Sequence, residues 1–222
     1  LDPTGEQGVV CMPLLMRMAT YDMFEVQVAA IQAMFDLIMI FPKLATFEYD
    51  GGDDDKCKNP ITIMLSFLKN SNAMSKDDAD DSEQEEDSEE IQQELTIKMT
   101  TIVAEGLARL MYNGRTRRTD VMEQLLLLFF GKSGAVSKMI DAWSSSSSTR
   151  TSSDPLFRVR QCLHLFFPQF AIHSLQNQHI IERSGYSAFR SMMSKSSGEE
   201  INDALIEEYV KFLGFYLQER DV

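Results

Sequence analysis

An all-α fold of stacked antiparallel helix pairs, an α-solenoid with disordered insertions, is what this 222-residue sequence predicts, and three observations carry the prediction. Apolar residues recur at helical 3–4 spacing through every segment rich enough to pack. No segment alternates apolar and polar residues with period two, so a sheet has no support. One helix-length pattern returns three times along the chain, as repeat architectures do. With 44% apolar residues there is material for a sizeable core, which excludes disorder throughout.

Taken in order, residues 7–18 read as a short helix. Residues 25–41 place Val26, Ala29, Ala30, Ala33, Met34, Leu37 and Ile38 on one face, and a second stripe runs Phe24, Val28, Ile31 and Phe35. A helix apolar on two sides must be covered on two sides, so this one is an inner helix. Asp22 with Glu25 gives its start signal and Pro42 its stop. A short helix follows at 60–69. Residues 91–112 bury Leu95, Met99, Ile102, Val103, Leu107 and Leu110, with Asn113-Gly114 as a left-handed stop. Gly106 in its middle costs about 1 kcal/mol relative to Ala, a cost that a close helix approach explains. Asp120 and Glu123 open a helix that ends at Gly131 and is apolar all round in its LLLLFF run. Asp154-Pro155 supplies an N-cap and first-turn proline to the next helix, which Pro168 kinks or ends. Residues 175–193 form another short helix. Ser197 with Glu200 makes a capping box ahead of Ile201, Leu205, Tyr209, Phe212, Leu213 and Tyr216.

The stretches FEVQVAAIQAMFDL, ELTIKMTTIVAEGL and FRVRQCLHLFF share a β-branched residue followed by Gln, Lys or Arg, then apolar residues at helical spacing. They recur at Val26, Ile97 and Val159, farther apart than the roughly 40 to 47 residues of a HEAT-type repeat, and each interval holds a low-complexity insertion that accounts for much of the excess. The expected organisation is one HEAT-repeat solenoid segment over 1–222, part of a longer protein since residue 1 is Leu. An acidic disordered insertion is expected at 72–90 and a Ser/Thr-rich disordered loop at 144–153.

The net charge of −13 is a local matter, because residues 77–90 hold ten of the 34 acidic residues and no basic one. Asp50, Asp53, Asp54 and Asp55 form a second acidic cluster in a turn-rich loop. Within the acidic insertion, Ser75 and Ser82 each precede an acidic residue by three positions and suit acidophilic kinases, which would act through added charge. The sign reverses over 109–160, which has nine basic residues against four acidic ones. A mobile acidic loop beside a basic surface is expected to compete with DNA for it.

Several classes fall away. The longest clean apolar run, 125–130, is far short of the roughly 18 residues of a membrane span, and no leader pattern opens the chain. Cys11, Cys57 and Cys162 are odd in number and lack CxxC pairing, which fits a reducing cytosol or nucleus. His164, His173 and His179 lack ligand spacing, so neither metal nor cofactor is expected. There is no phosphate-cradling loop with Lys, no GxSxG elbow and no HExxH helix. Cys162 and His164, the one nearby reactive pair, sit at i, i+2 and point apart on a helix, so the expectation is a protein that is not an enzyme.

Residues 103–115 (VAEGLARLMYNGR), 125–130 (LLLLFF) and 159–182 (VRQCLHLFFPQFAIHSLQNQHIIE) resemble, in this order and spacing, the C-terminal half of the CAP-G-type subunits of condensin. The upstream VAAIQAMFDLIMIF is compatible with them, and the resemblance covers roughly 24–193, with its specificity in AEGLARL and RQCLHLFFP. Two departures are Gly131-Lys132, where the family continues into Asn-Pro, and a longer serine tract. The resemblance implies a non-catalytic HEAT-repeat subunit of condensin I, held by a segment of a kleisin subunit of CAP-H type. Such a subunit engages double-stranded DNA during mitotic chromosome condensation, while the SMC subunits carry the ATPase. It implies nuclear and chromosomal residence in mitosis with a cytoplasmic pool. The alternative is a HEAT-type adaptor for nuclear transport or phosphatase scaffolding, which binds protein partners and not DNA.

For DNA the candidates are Arg115, Arg117 and Arg118, clustered after the Asn113-Gly114 helix stop, with Lys132 and Lys138 behind them. Phosphate contacts need charge more than geometry, although basic residues also gather at helix C-termini for the dipole alone. For the kleisin the candidates are Arg158 and Arg160, which flank Val159, and Phe166, Phe167 and Phe170 as a hydrophobic slot; residues of that type are more commonly core.

Overall fold

A computed structural model describes residues 6–48, 59–69, 85–130, 155–194 and 203–217. Helices form all the regular structure among these residues, as the spacing predicts. They divide into two compact units, residues 1–116 and 117–222.

The first unit contains α1 (Glu6–Tyr21), α2 (Phe24–Ile40), a 3₁₀ turn (Pro42–Thr46), α3 (Pro60–Lys69) and α4 (Glu85–Tyr112). As expected of a helix apolar on two sides, α2 packs between α1 and α4, and α3 closes on α1 and α4. Met12, Met16, Ile31, Met34, Ile38, Ile61, Met64, Leu65, Leu68, Val103 and Leu107 form the core. Gly106 permits the close approach inferred for it: a Cβ there would lie 2.2 to 2.6 Å from three ring atoms of Phe35.

Two start signals differ from expectation. Met23 rather than Asp22 is the N-cap of α2 and makes no side-chain cap bond, while Asp22 Oδ1 accepts from the neighbouring Met23 N–H at 3.1 Å. The well-made cap in this unit is Asn59, whose Oδ1 accepts from Ile61 N at 2.9 Å and whose Nδ2 donates to the carbonyls of Ala45 (2.9 Å) and Phe47 (3.2 Å). One side chain thus starts α3 and ties it to the 3₁₀ turn. Helix α4 begins at Glu85, not 91, so the insertion expected over 72–90 gives way to helix for its last six residues. Residues 72–84 and 144–153 lie outside the described residues.

The second unit contains α5 (Thr119–Phe129), α6 (Pro155–His173), α7 (Leu175–Ser194) and α8 (Asp203–Leu217). Helix α5 packs on α7 and α6, and α8 on α7. As the LLLLFF run predicts, Leu125, Leu126, Leu127 and Leu128 are all buried. Phe129, Phe130, Phe167, Tyr209 and Phe212 close the core as an edge-to-face aromatic cluster, with Phe130 and Tyr209 centroids 4.8 Å apart.

Of the two outcomes expected at Pro168, a kink or an end, the end does not occur: α6 runs five residues past it to His173. Proline in a helix interior costs about 3 kcal/mol. Ending the helix there would remove Phe170 and Ala171, both buried, from the core, and full burial of one Phe alone contributes roughly 1.5–3 kcal/mol. The α6–α7 joint is a single residue, Ser174, whose Oγ accepts from Asn177 N at 3.2 Å. Asn177 Nδ2 donates to Phe170 O at 2.8 Å and Gln178 Nε2 to Ala171 O at 3.2 Å, so side-chain amides of α7 satisfy the last carbonyls of α6.

Glu123, expected as a helix-opening acid, instead bridges α5 to α7 by accepting from the hydroxyls of Ser187 (2.8 Å) and Ser191 (3.0 Å). Tyr209 of α8 donates to Gly185 O at 2.6 Å. Burial pushes the Tyr209 hydroxyl well above the ordinary tyrosine range, and the Glu123 carboxylate adds to the push. The capping box at Ser197 and Glu200 lies outside the described residues.

Candidate nucleic-acid interface

Helix α4 ends in a Schellman motif. Gly114 has φ +65°, its N–H donates to Met111 O at 2.9 Å, and Arg115 N donates to Leu110 O at 2.8 Å. The Asn113-Gly114 stop therefore forms as the sequence indicates, and it turns the chain into the arginine-rich segment.

The three arginines of this segment meet different fates. Arg115, in the first unit, is half-buried, and its Nε is buried with no hydrogen-bond partner among the described residues. Arg118 is committed to Asp120: Nε donates to Oδ1 at 3.0 Å and Nη2 to Oδ2 at 2.6 Å, a bidentate pair that compensates its charge. Arg117 is exposed and donates from Nη1 to the neutral Oε1 of Gln176 at 2.6 Å, so its charge is kept.

That bond leads onto a surface the sequence reading passed over. Gln176, His179, Arg183, Tyr186 and Arg190 follow one another at 3–4 spacing on α7, and all five are exposed. At 1.5 Å per residue, Arg183 and Arg190 stand about 10 Å apart along the axis, with the Arg117 anchor a further ~10 Å back. Tyr186 lies between the two cations and is 71% exposed. Glu182 sits beside the stripe, with Oε2 3.3 Å from Nδ1 of His179. In sequence Glu182 next to Arg183 makes this segment look nearly neutral, and only the helical period separates the arginines onto one line.

Lys132 and Lys138, and likewise Ser75 and Ser82, lie outside the described residues. Of the residues expected to meet a kleisin, Phe166 is 8% exposed and Phe167 and Phe170 are fully buried, so all three belong to the core. The reason is register: they share the inward face of α6 with Val159 and Leu163. Arg158 and Arg160 are exposed. Cys162 is half-buried, whereas His164 is exposed with its ring stacked on Phe129 at 6.4 Å. Among the described residues no three His, Cys, Asp or Glu side chains converge on a metal position, and no helix is long and apolar enough to cross a membrane.

Packed amphipathic helices, one of which carries an exposed cationic stripe, define an all-α protein. The model of the family described as nuclear condensing complex subunits, C-terminal domain, matches residues 9–220, and the chain belongs to that family. Among curated relatives, condensin complex subunit 3 of Xenopus laevis is 22% identical over 91% of this chain and 19% of its own length. Condensin complex subunit 3 of Homo sapiens is 23% identical over 90% of this chain and 18% of its own. The chain thus spans about a fifth of the relatives it matches. No solved structure matches it.

Proposed function

We propose that this chain is a segment of a non-catalytic, CAP-G-type condensin subunit. In this reading it forms part of a HEAT-repeat solenoid that binds a kleisin subunit and engages double-stranded DNA in mitotic chromosome condensation, while the SMC subunits supply ATP hydrolysis. Family membership supports the assignment to condensin and to the nucleus, and favours it over a transport or phosphatase adaptor. The observation that carries DNA engagement is the line of Arg117, Arg183, Tyr186 and Arg190. Arg117 is the member of the original arginine cluster that joins this line through Gln176, while Arg118 is paired with Asp120. Arg158 and Arg160 are the exposed residues among those assigned to the kleisin.

Phosphate contacts release counterions, and each contributes about 0.9 to the slope of log affinity against log salt. In anisotropy measurements with a labelled duplex and the kleisin-bound protein, the double substitution Arg183→Glu, Arg190→Glu is expected to weaken binding and reduce that slope by roughly 2. A slope equal to that of the unmodified protein would rule out this surface.

A further inference from the structure

Helix α6 has a second face that neither DNA engagement nor the core uses. Val159, Leu163, Phe166, Phe167, Phe170 and Ala171 point inward, against α5 and α7. On the opposite side Phe157, Leu165 and Ile172 are 54%, 65% and 61% exposed. Exposed Gln161 and half-exposed Pro168 fall between them at helical spacing. The stripe runs over 157–172, about 22 Å at 1.5 Å per residue, or some four turns. Scattered surface apolar residues are ordinary, but three large ones in one line on one helix mark a surface that something covers.

Charge narrows what that is. The 19 residues of α6 include no Asp or Glu. Exposed Arg160 and His164 border the stripe on one edge, and exposed Arg158 and His173 on the other. A duplex would satisfy the rim and leave the apolar line wet, because its backbone presents phosphates and no hydrophobic seam. A helix with Leu or Phe at i, i+3, i+4 and i+7 and carboxylates on its flanks satisfies both at once. We propose that this face of α6 is a docking surface for an acidic amphipathic helix of a protein partner. It shares Arg158 and Arg160 with the site proposed for the kleisin and rests on that reading, but it lies on a different helix from the proposed DNA stripe and its test uses none of that stripe's residues.

The probe is a fluorescein-labelled 20-residue peptide with Leu at helical 3–4 spacing and Glu on the flanks. Controls are a scrambled isomer and a version with Lys for every Glu, each titrated against the full chain. The amphipathic acidic peptide is expected to bind at least tenfold tighter than either control. Leu165→Glu with Ile172→Glu should weaken it at least tenfold while the melting temperature stays unchanged. Arg160→Glu, which leaves the apolar line intact, should weaken it at least threefold. Equal affinity for the scrambled or the Lys peptide overturns the proposal, as does displacement of the acidic peptide by duplex DNA. A clear drop in melting temperature of the double variant would show that the face packs within the chain. A concentration-dependent dimer abolished by Leu165→Glu would show that a second copy covers it. Either result also overturns the proposal.

Discussion

Gly106→Ala sets two effects of opposite sign against each other in one substitution. Position 106 is inside α4, where alanine is intrinsically better than glycine by about 1 kcal/mol, so on propensity alone the variant gains stability. The added Cβ would stand 2.2, 2.3 and 2.6 Å from Cε2, Cζ and Cδ2 of Phe35. Comfortable carbon contacts lie near 3.5–4.0 Å, so the ring must retreat by more than an ångström. Phe35 is itself buried on α2, and its displacement spreads into the packing of that helix. Overpacking of this kind costs about 1–3 kcal/mol, and three simultaneous ring contacts place it at the upper end. Less the propensity gain, the net loss is about 2 kcal/mol, which for a unit of roughly a hundred residues lowers Tm by roughly 8–16 °C. Thermal unfolding followed by circular dichroism at 222 nm reads this directly. Phe35→Leu should recover most of the loss in the Gly106→Ala background while destabilising the parent chain, a coupling that a double-mutant cycle isolates. A Gly106→Ala variant more stable than the parent by about the propensity difference would refute the close-approach reading.

Tyr209 provides a pH-dependent counterpart in the second unit. Its folded-state pKa is raised above the ordinary 10.0, first by burial and then by Glu123, so below that value both folded and unfolded states hold the proton and nothing is lost. Above about 10 the unfolded chain releases the proton first and stability falls, by up to about 1.4 kcal/mol per pH unit for this one group. Urea unfolding at pH 9 and pH 11 should show that loss, and Tyr209→Phe should remove this share of it. At neutral pH the same variant is expected to cost about 1–2 kcal/mol, because the Gly185 carbonyl loses its donor. Asn177→Ala should cost a similar amount for the stranded Phe170 carbonyl, with hydrogen exchange rising first in the last turn of α6.

How much of this was legible in the sequence depended on whether the signal was local. The bounds of α3 and the Gly114 stop follow from residues within a few positions of one another, whereas Gly106 marks a close approach without naming its partner, Phe35 of α2. The aromatic slot did not survive, since which face of α6 turns inward is decided by α5 and α7, and periodicity marks a face without saying what covers it. Glu123 looked like a first-turn acid because its serine partners are 64 and 68 positions away. The cationic line escaped notice for the converse reason. Charge counted along the chain averages Glu182 with Arg183, whereas a helix sorts residues by angle. Arg118 shows the opposite error: three clustered arginines read as one basic patch, yet Asp120 two residues on claims one of them.

The joint at Ser174 has a consequence for experiments on this surface. Two neutral amides pin α7 to the end of α6 through backbone carbonyls, with no formal charge in either bond. Coulombic screening, the variable by which an electrostatic surface is titrated, has no charge in these two bonds to act on. The angle at which α7 leaves α6 should therefore hold constant across a salt series, and changes in affinity along that series report on counterions rather than on a hinge.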